Sequence, residues 1–467
     1  MNRRQFAALA LPLASTGLGI PRRWSRVVVH DPELVLVLRG GRHFREGRWQ
    51  TGDIGVDRGG KLRFGDRLTG TRCFSLPGKV IAPGFIDILA DNSTNPAATF
   101  PVFEKYKVAD GVTTALQMHG GSGDCGGYYA AMGGVPHRIH YGVSTFVMSI
   151  RSRFRSLAER RNQVEKNLDE GALGVSHSLE YQPAPLEELL GYAKLARGYD
   201  RPVFLHLRYS DQGRELDGVD EAIGLARQSG ARVHIAHLHS TGGTYRMEAA
   251  LEKIGTANAE GLCLTTCVYP YSYWATYLSS RRFDPGWQER FGLTYGDLRV
   301  VGSGECLTAE SFLRYRRTGA LVAVPEGTMP LANTFDRAIR EDFCMIGSDG
   351  GIQREPRANS HPRGAGCFST AVRHLMDLGM SLERILEKMT LLPRSLVSPA
   401  MRERGVLEEG RAADLTVFDP AAIRGTATVD NPNQFSAGIE LVLVNGRIAY
   451  QDGALVERGG TAIRAMG

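Results

Sequence analysis

Residues 202–238, PVFLHLRYSDQGRELDGVDEAIGLARQSGARVHIAHL, decide the fold. A short apolar run (202–207, PVFLHL) leads into GVDEAIGLARQSG, whose apolar residues recur at three- and four-residue spacing, and a second apolar run (232–238, RVHIAHL) closes the unit. Short run, amphipathic helix, short run is the pattern of two parallel strands joined by a crossover helix. Each run also ends close to a histidine, His206 and His237.

The alternation continues in both directions. Residues 80–88 (VIAPGFIDI), 112–118 (VTTALQM), 142–148 (GVSTFVM) and 172–177 (ALGVSH) precede it, and 262–268 (LCLTTCV) and 343–348 (FCMIGS) follow it. LAERRNQVEKNL and LEELLGYAKLAR supply further helical patterns. Eight strands alternating with helices predict an α/β chain with a (β/α)8 TIM-like barrel. Residues 277–331 have weak periodicity and read as an insertion or lid after the seventh strand. On both flanks the texture changes to short alternating strands with Gly/Asp turns, LVLVLRGG and TGDIGVDRGGKLRFG at one end, GRAADLTVFDP and ELVLVNGRIAYQDG at the other. They predict a small discontinuous β-sandwich built from both chain ends, residues 31–80 plus 396–467, around a barrel spanning 81–395.

The first thirty residues read differently. Arg3-Arg4 in MNRRQF is followed by AALALPLASTGLGI and then Arg22-Arg23. A charged start and a short apolar stretch describe an export signal; a membrane span would need about 20 apolar residues. The arginine pair resembles the twin-arginine type, which implies the twin-arginine export machinery as a partner and a periplasmic or secreted mature chain beginning near residue 25 to 30. No stable membrane insertion is expected. The net charge of +6 comes without a dense Lys/Arg run, which argues against nucleic-acid binding. Seven cysteines, an odd number without a C-x-x-C pair, do not describe a disulfide framework.

Catalytic groups of such barrels sit at the C-terminal ends of the strands, whose loops line one mouth. His206, His237 and Asp349 (in CMIGSDGG) all fall there after apolar runs. Two imidazoles and a carboxylate on one rim suit Zn2+.

Several motifs carry a resemblance. VIAPGFID, DGVTT, DEGALGVSHSLEYQP, FLHLR, VHIAHLHSTGG, VYPY, GSDGG, SHPRGAGCF, GRAADLTVFDP and VLVNGR occur in order over nearly the whole chain after the signal. Together they resemble the amidohydrolase superfamily, and more narrowly the N-acyl-D-amino-acid deacylases. The resemblance implies that His206 and His237 are metal ligands, that Asp349 is the catalytic carboxylate, and that Tyr269 and Arg363 help bind a small-molecule substrate's carboxylate.

The departures carry information too. The superfamily's His-x-His after PGFID is replaced by Leu89 and Asp91; leucine binds no metal, whereas Asp91 suits either a hard cation or a supporting role. The deacylase cysteine is displaced: an ungapped alignment puts Gly120 in its place, an insertion of five residues restores Cys125, and His119 is a nearer substitute. The third ligand is therefore Cys125 or His119. His239 stands where the family has a lysine, so a fixed positive charge becomes conditional. No lysine ends the fourth strand, which excludes a carboxylated-lysine bridge. The expected chemistry is a zinc-dependent amide hydrolase with one Zn2+ per chain, held by His206, His237 and Cys125, with Asp349 as base and then acid. The alternative is a divergent barrel that has lost hydrolysis and performs a cyclisation or elimination, or only binds its ligand.

Overall fold

The structure is a computed structural model that describes residues 34–92, 95–352 and 361–465. The segment read as an export signal, and the side chain of Asp91, lie outside the described residues.

Eight parallel strands follow one another in sequential order: Phe85–Asp87, Val112–Ser122, His140–Phe146, Val175–Ser178, Val203–His206, Val233–Ile235, Leu264–Val268 and Cys344–Ile346. Helices such as Leu157–Asp169, Leu186–Gly198 and Glu215–Ser229 lie between them. This is the expected TIM-like barrel, nearly closed. Its seam, between the first and eighth strands, is joined by side chains. Asp87 accepts hydrogen bonds from Ser348 N at 3.0 Å and Ser348 Oγ at 2.6 Å. Lys107 Nζ lies 2.7 Å from Asp87 Oδ2, with both side chains wholly buried. Just past the seam Ala90–Asn92 pairs in parallel with Gly350–Ile352. The stretch that carries Leu89 and Asp91 in place of His-x-His is thus zipped to the backbone that follows Asp349.

Both flanks build sheets outside the barrel. Leu34–Arg39, Asp53–Asp57, Leu62–Gly65 and Arg72–Ser75 form one sheet. Val80–Pro83 pairs with Leu415–Phe418, which continues into Ile439–Val444 and Arg447–Gln451. Leu36, Leu38, Ile54 and Val56 from one end share a buried core with Leu415, Val417, Leu441 and Ile448 from the other. Neither flank could bury these faces alone. The last residues return to the barrel: Ile463 N donates to Tyr141 O (2.7 Å) and Ala465 N to Gly171 O (3.1 Å). Ile463 and Ala465 pack there with Leu116, Met118 and Phe204.

Between the seventh and eighth strands the chain forms a small antiparallel sheet, Ala275–Tyr277, Leu321–Ala323 and Arg299–Val300. Its helices Trp287–Phe291 and Ala309–Thr318 carry an aromatic cluster in which Trp287 stacks on Phe312 (5.4 Å) and meets Phe283 edge-on (5.4 Å). The insertion thus has a core of its own, made by aromatic clustering and not by helical or strand periodicity. Among the described residues no helix is long and apolar enough to cross a membrane.

Candidate metal centre and active site

A cavity of about 360 Å³ opens at the C-terminal ends of the strands. His119, His206, His237, Tyr269, Asp349 and Arg363 line it from the barrel, and Trp274 to Tyr277 and Ser279 to Arg282 line it from the insertion. His119 lies on the second strand, His206 ends the fifth, and His237 follows the sixth. His237 and Asp349 both adopt left-handed backbone, φ +32° and +49°. Such conformations cost a non-glycine residue about 1–3 kcal/mol and persist where the surroundings enforce them, often at functional sites.

Three histidines converge. Nitrogens of His119, His206 and His237 lie within 4.8 Å of one another. His206 Nε2 is 2.8 Å from Glu180 Oε2, which leaves Nδ1 pointing at His237 Nε2, 3.2 Å away. His237 Nδ1 is 2.9 Å from Ser240 Oγ, and that hydroxyl also lies 3.1 Å from His237 O, to which it donates. These partners assign the ring protons to His206 Nε2 and His237 Nδ1, so two lone pairs face one another across 3.2 Å. That arrangement is repulsive unless a cation lies between them, and it fits a metal ion. Asp349 Oδ1 adds an oxygen donor 3.3 Å from His119 Nδ1. Nitrogen and carboxylate donors on an open rim are a set that Zn2+ accepts.

Burial lowers the basicity of His206 and drives that of His237 far down, so both are neutral and able to donate a lone pair. Burial pushes the Asp349 carboxyl up, but Arg363, His237 and His119 outweigh it and hold Asp349 well below the usual carboxylate range.

Cys125 is not part of this cluster. The second strand runs on to Ser122, past the expected Met118, and its register against the third strand shifts between Gln117 and Ser122. Gly121 takes φ +85° there, and a Cβ on it would collide with the Ser144 carbonyl. The extra residues carry Cys125 over the rim into the layer between strands and helices, among Tyr128, Tyr129 and Met132. Its Sγ sits 3.7 Å from the carbonyls of Ser122 and Ser144, and burial pushes the thiol pKa far up. Its Sγ thus packs against backbone carbonyls away from the three histidines, and the cluster contains His119 in place of Cys125.

Two substrate-binding expectations also change. His239 lies behind Tyr269, ring centroids 4.0 Å apart, and does not line the cavity. Burial and then Arg363 hold its pKa down at about 3, so it offers no positive charge. Arg363 does line the cavity, but its fork is engaged with Asp349, Nη2 to Oδ2 at 2.7 Å and Nε to the carbonyl at 2.6 Å. Its guanidinium also lies over the Tyr269 ring, 4.5 Å from the centroid. Tyr269 itself stands in the cavity wall.

Glu180 and Arg282 were not foreseen. Glu180 follows the fourth strand, and the register Ser178↔His206 brings it beside the His206 ring. The carboxylate in SLEYQP was a signal in the right place. Burial raises its pKa, but Arg282 and His206 outweigh burial and hold it at about 2. Arg282 comes from the insertion, whose sequence carries no comparable signal.

The sequence pattern of the amidohydrolase family matches residues 107–449. The chain belongs to the amidohydrolase family. It is 31% identical to an N-acyl-D-glutamate deacylase of Alcaligenes xylosoxydans xylosoxydans over 312 residues, 64% of this chain and 62% of that protein. It is 29% identical to an N-acyl-D-aspartate deacylase of the same organism over 340 residues, 68% and 65% respectively. The chain therefore spans less than two thirds of the length of these curated relatives. Among solved structures it resembles the N-acyl-D-glutamate deacylase of Bordetella bronchiseptica complexed with zinc and a phosphonate inhibitor that mimics the tetrahedral intermediate. The TM-score is 0.77 at 26% identity, with 92% of this chain and 100% of that one covered.

Proposed function

We propose that this amidohydrolase is a zinc-dependent amide hydrolase that removes the acyl group from N-acyl amino acids or small peptide-like amides. One observation carries the reading: three histidines and Asp349 converge on a single cavity of substrate size at the barrel mouth. His206 Nδ1, His237 Nε2 and His119 would hold one Zn2+ per chain, with Asp349 beside them. The ion, when bound, supplies an acidified water and polarises the amide carbonyl. Asp349 takes the proton of the attacking water and returns it to the departing amine, serving as base and then as acid. Arg363 grips both the carboxylate and the carbonyl of Asp349, so the accepting oxygen keeps one orientation. Tyr269, Tyr181 and Trp274 wall the cavity. The relatives' names support an N-acyl-D-amino acid as the substrate. Arg3-Arg4 and the apolar run behind them support a site of action outside the cytoplasm.

The test is the zinc content of the purified protein together with turnover of a panel of N-acyl-D- and N-acyl-L-amino acids. About one zinc per chain and hydrolysis of at least one panel member are expected. Zinc without hydrolysis of any member would favour the rearrangement reading, to which Leu89 in place of a ligand lends weight.

A further inference from the structure

The insertion between the seventh and eighth strands does more than roof the cavity. Arg282, in the short turn Arg281–Phe283, is 5% exposed and reaches down to the barrel rim. Its Nε donates to Glu180 Oε2 at 3.1 Å, and the same oxygen is 2.8 Å from His206 Nε2. Its Nη2 donates to Ser240 O at 2.9 Å, and the Ser240 hydroxyl holds His237 Nδ1. Trp274, also of the insertion, lies 4.9 Å from the guanidinium, and Ser210 Oγ bonds the other oxygen of Glu180. One side chain from the insertion therefore touches the partners of both strand-end histidines, on the nitrogens that face away from the cluster.

We propose that Arg282 is a positioning residue for the metal centre, so that the insertion is an integral part of the ligand frame. The inference rests on the reading of the histidine cluster as a metal site. Its physical basis is the orienting role of the groups behind ligating histidines: a carboxylate on the far nitrogen fixes the tautomer and the ring plane. Glu180 can play that part only if its own charge is met and its rotamer is fixed, and a planar guanidinium does both at once. Ser240 is fixed through its carbonyl in the same way. Without Arg282 the Glu180 carboxylate is left with a histidine and a hydroxyl, in a site from which water is largely excluded, and both rings lose their reference.

Arg282→Met keeps the bulk of the stem and removes the fork. Competition against a chromophoric chelator should show zinc affinity lowered about 10- to 100-fold, the usual scale for loss of such partners. The visible absorption of the Co2+-substituted protein should change in band position or intensity, which reports ligand geometry without any turnover. Arg282→Lys, able to meet Glu180 but not to fork to Ser240, should recover part of the affinity. Arg316→Met separates frame from roof: Arg316 ties the insertion through Leu278 O (2.9 Å) and Asp284 (2.6 Å) without reaching Glu180. That variant should retain wild-type affinity and spectrum. An equal loss in Arg316→Met would make Arg282 merely a fastener of the insertion and overturn the proposal. Wild-type affinity and spectrum in Arg282→Met would overturn it as well. Should Arg282→Met fail to fold, Glu180→Gln carries the same expectation, and unchanged zinc affinity there has the same consequence. A wild-type protein that binds neither zinc nor cobalt would remove the metal-site reading itself and this inference with it.

Discussion

His119 and Cys125 lie close in sequence, yet the fold separates them by a layer. One lines the barrel mouth with the other histidines, and the other opens the helix Cys125–Gly133 with its thiol buried in the core. His119→Ala should therefore lower zinc occupancy by at least tenfold in chelator competition, while Cys125→Ser leaves it near wild type; the reverse result would restore the thiolate site. Asp349→Asn isolates the chemistry. The amide keeps the size but cannot take a proton, so turnover of an N-acyl amino acid should fall by about 10²–10⁴ with zinc content little changed. Loss of the metal along with activity would make Asp349 chiefly a ligand. That His206, His237 and Asp349 line the barrel mouth was legible in the sequence because each follows an apolar strand, where a polar group needs a reason. Cys125 was misread because its place depends on how far the second strand runs, and a run of glycines gives no periodicity from which to judge that. His239 was misread because its burial is created by Tyr269, from a neighbouring strand.

At the scale of elements, the barrel was readable because short apolar runs and amphipathic helices have different periods. The seam and the insertion were not. The seam depends on Asp87, Lys107 and Ser348, from three separate elements, and no spacing announces their meeting. The strands of the insertion are two or three residues long, too short for alternation to show. Lys107 is wholly buried and bonds Asp87 Oδ2 at 2.7 Å and Ser348 Oγ at 2.8 Å. Lys107→Met leaves the Asp87 charge buried without its cation, a change that typically costs about 3–5 kcal/mol. Denaturant unfolding should show a loss of that order. A loss below about 1 kcal/mol would mean that the Asp87–Ser348 bonds and the Ala90–Asn92 ladder hold the seam without Lys107. Because Ser348 precedes the left-handed Asp349, the variant should also lower turnover in whatever fraction remains folded.

For the whole molecule, acid stability follows from its buried histidines. His177, His234 and His239 are each held neutral, with pKa values near 3, chiefly by burial; the next contributions come from Arg151, His119 and Arg363 respectively. In the unfolded chain each titrates near 6.5. Between about pH 6.5 and 3 the unfolded state therefore binds more protons than the folded one. Stability is complete above the unfolded value and declines as the pH falls, by about 1.4 kcal/mol per pH unit for each histidine. Asp110 works in the opposite sense. Burial lifts its pKa to about 6, against hydrogen bonds from Ser369, Ser436 and the Phe368 amide, so its contribution is greatest in acid and fades as the pH rises through 6. Asp110 against these three histidines leaves a loss toward acid of about 3 kcal/mol per unit in the window between 4 and 6, and His206, His237 and His361, whose pKa values burial also lowers, act in the same direction. The urea midpoint should accordingly drop steeply from pH 6.5 to 5 and change little from 7.5 to 8.5. His177→Leu removes one of the three groups and should flatten the acid slope by about 1.4 kcal/mol per unit, whatever it does to the midpoint at neutral pH. A midpoint that holds steady or rises as the pH falls from 6.5 to 5 would show that these histidines accept protons in the folded state, and that their burial does not govern acid stability.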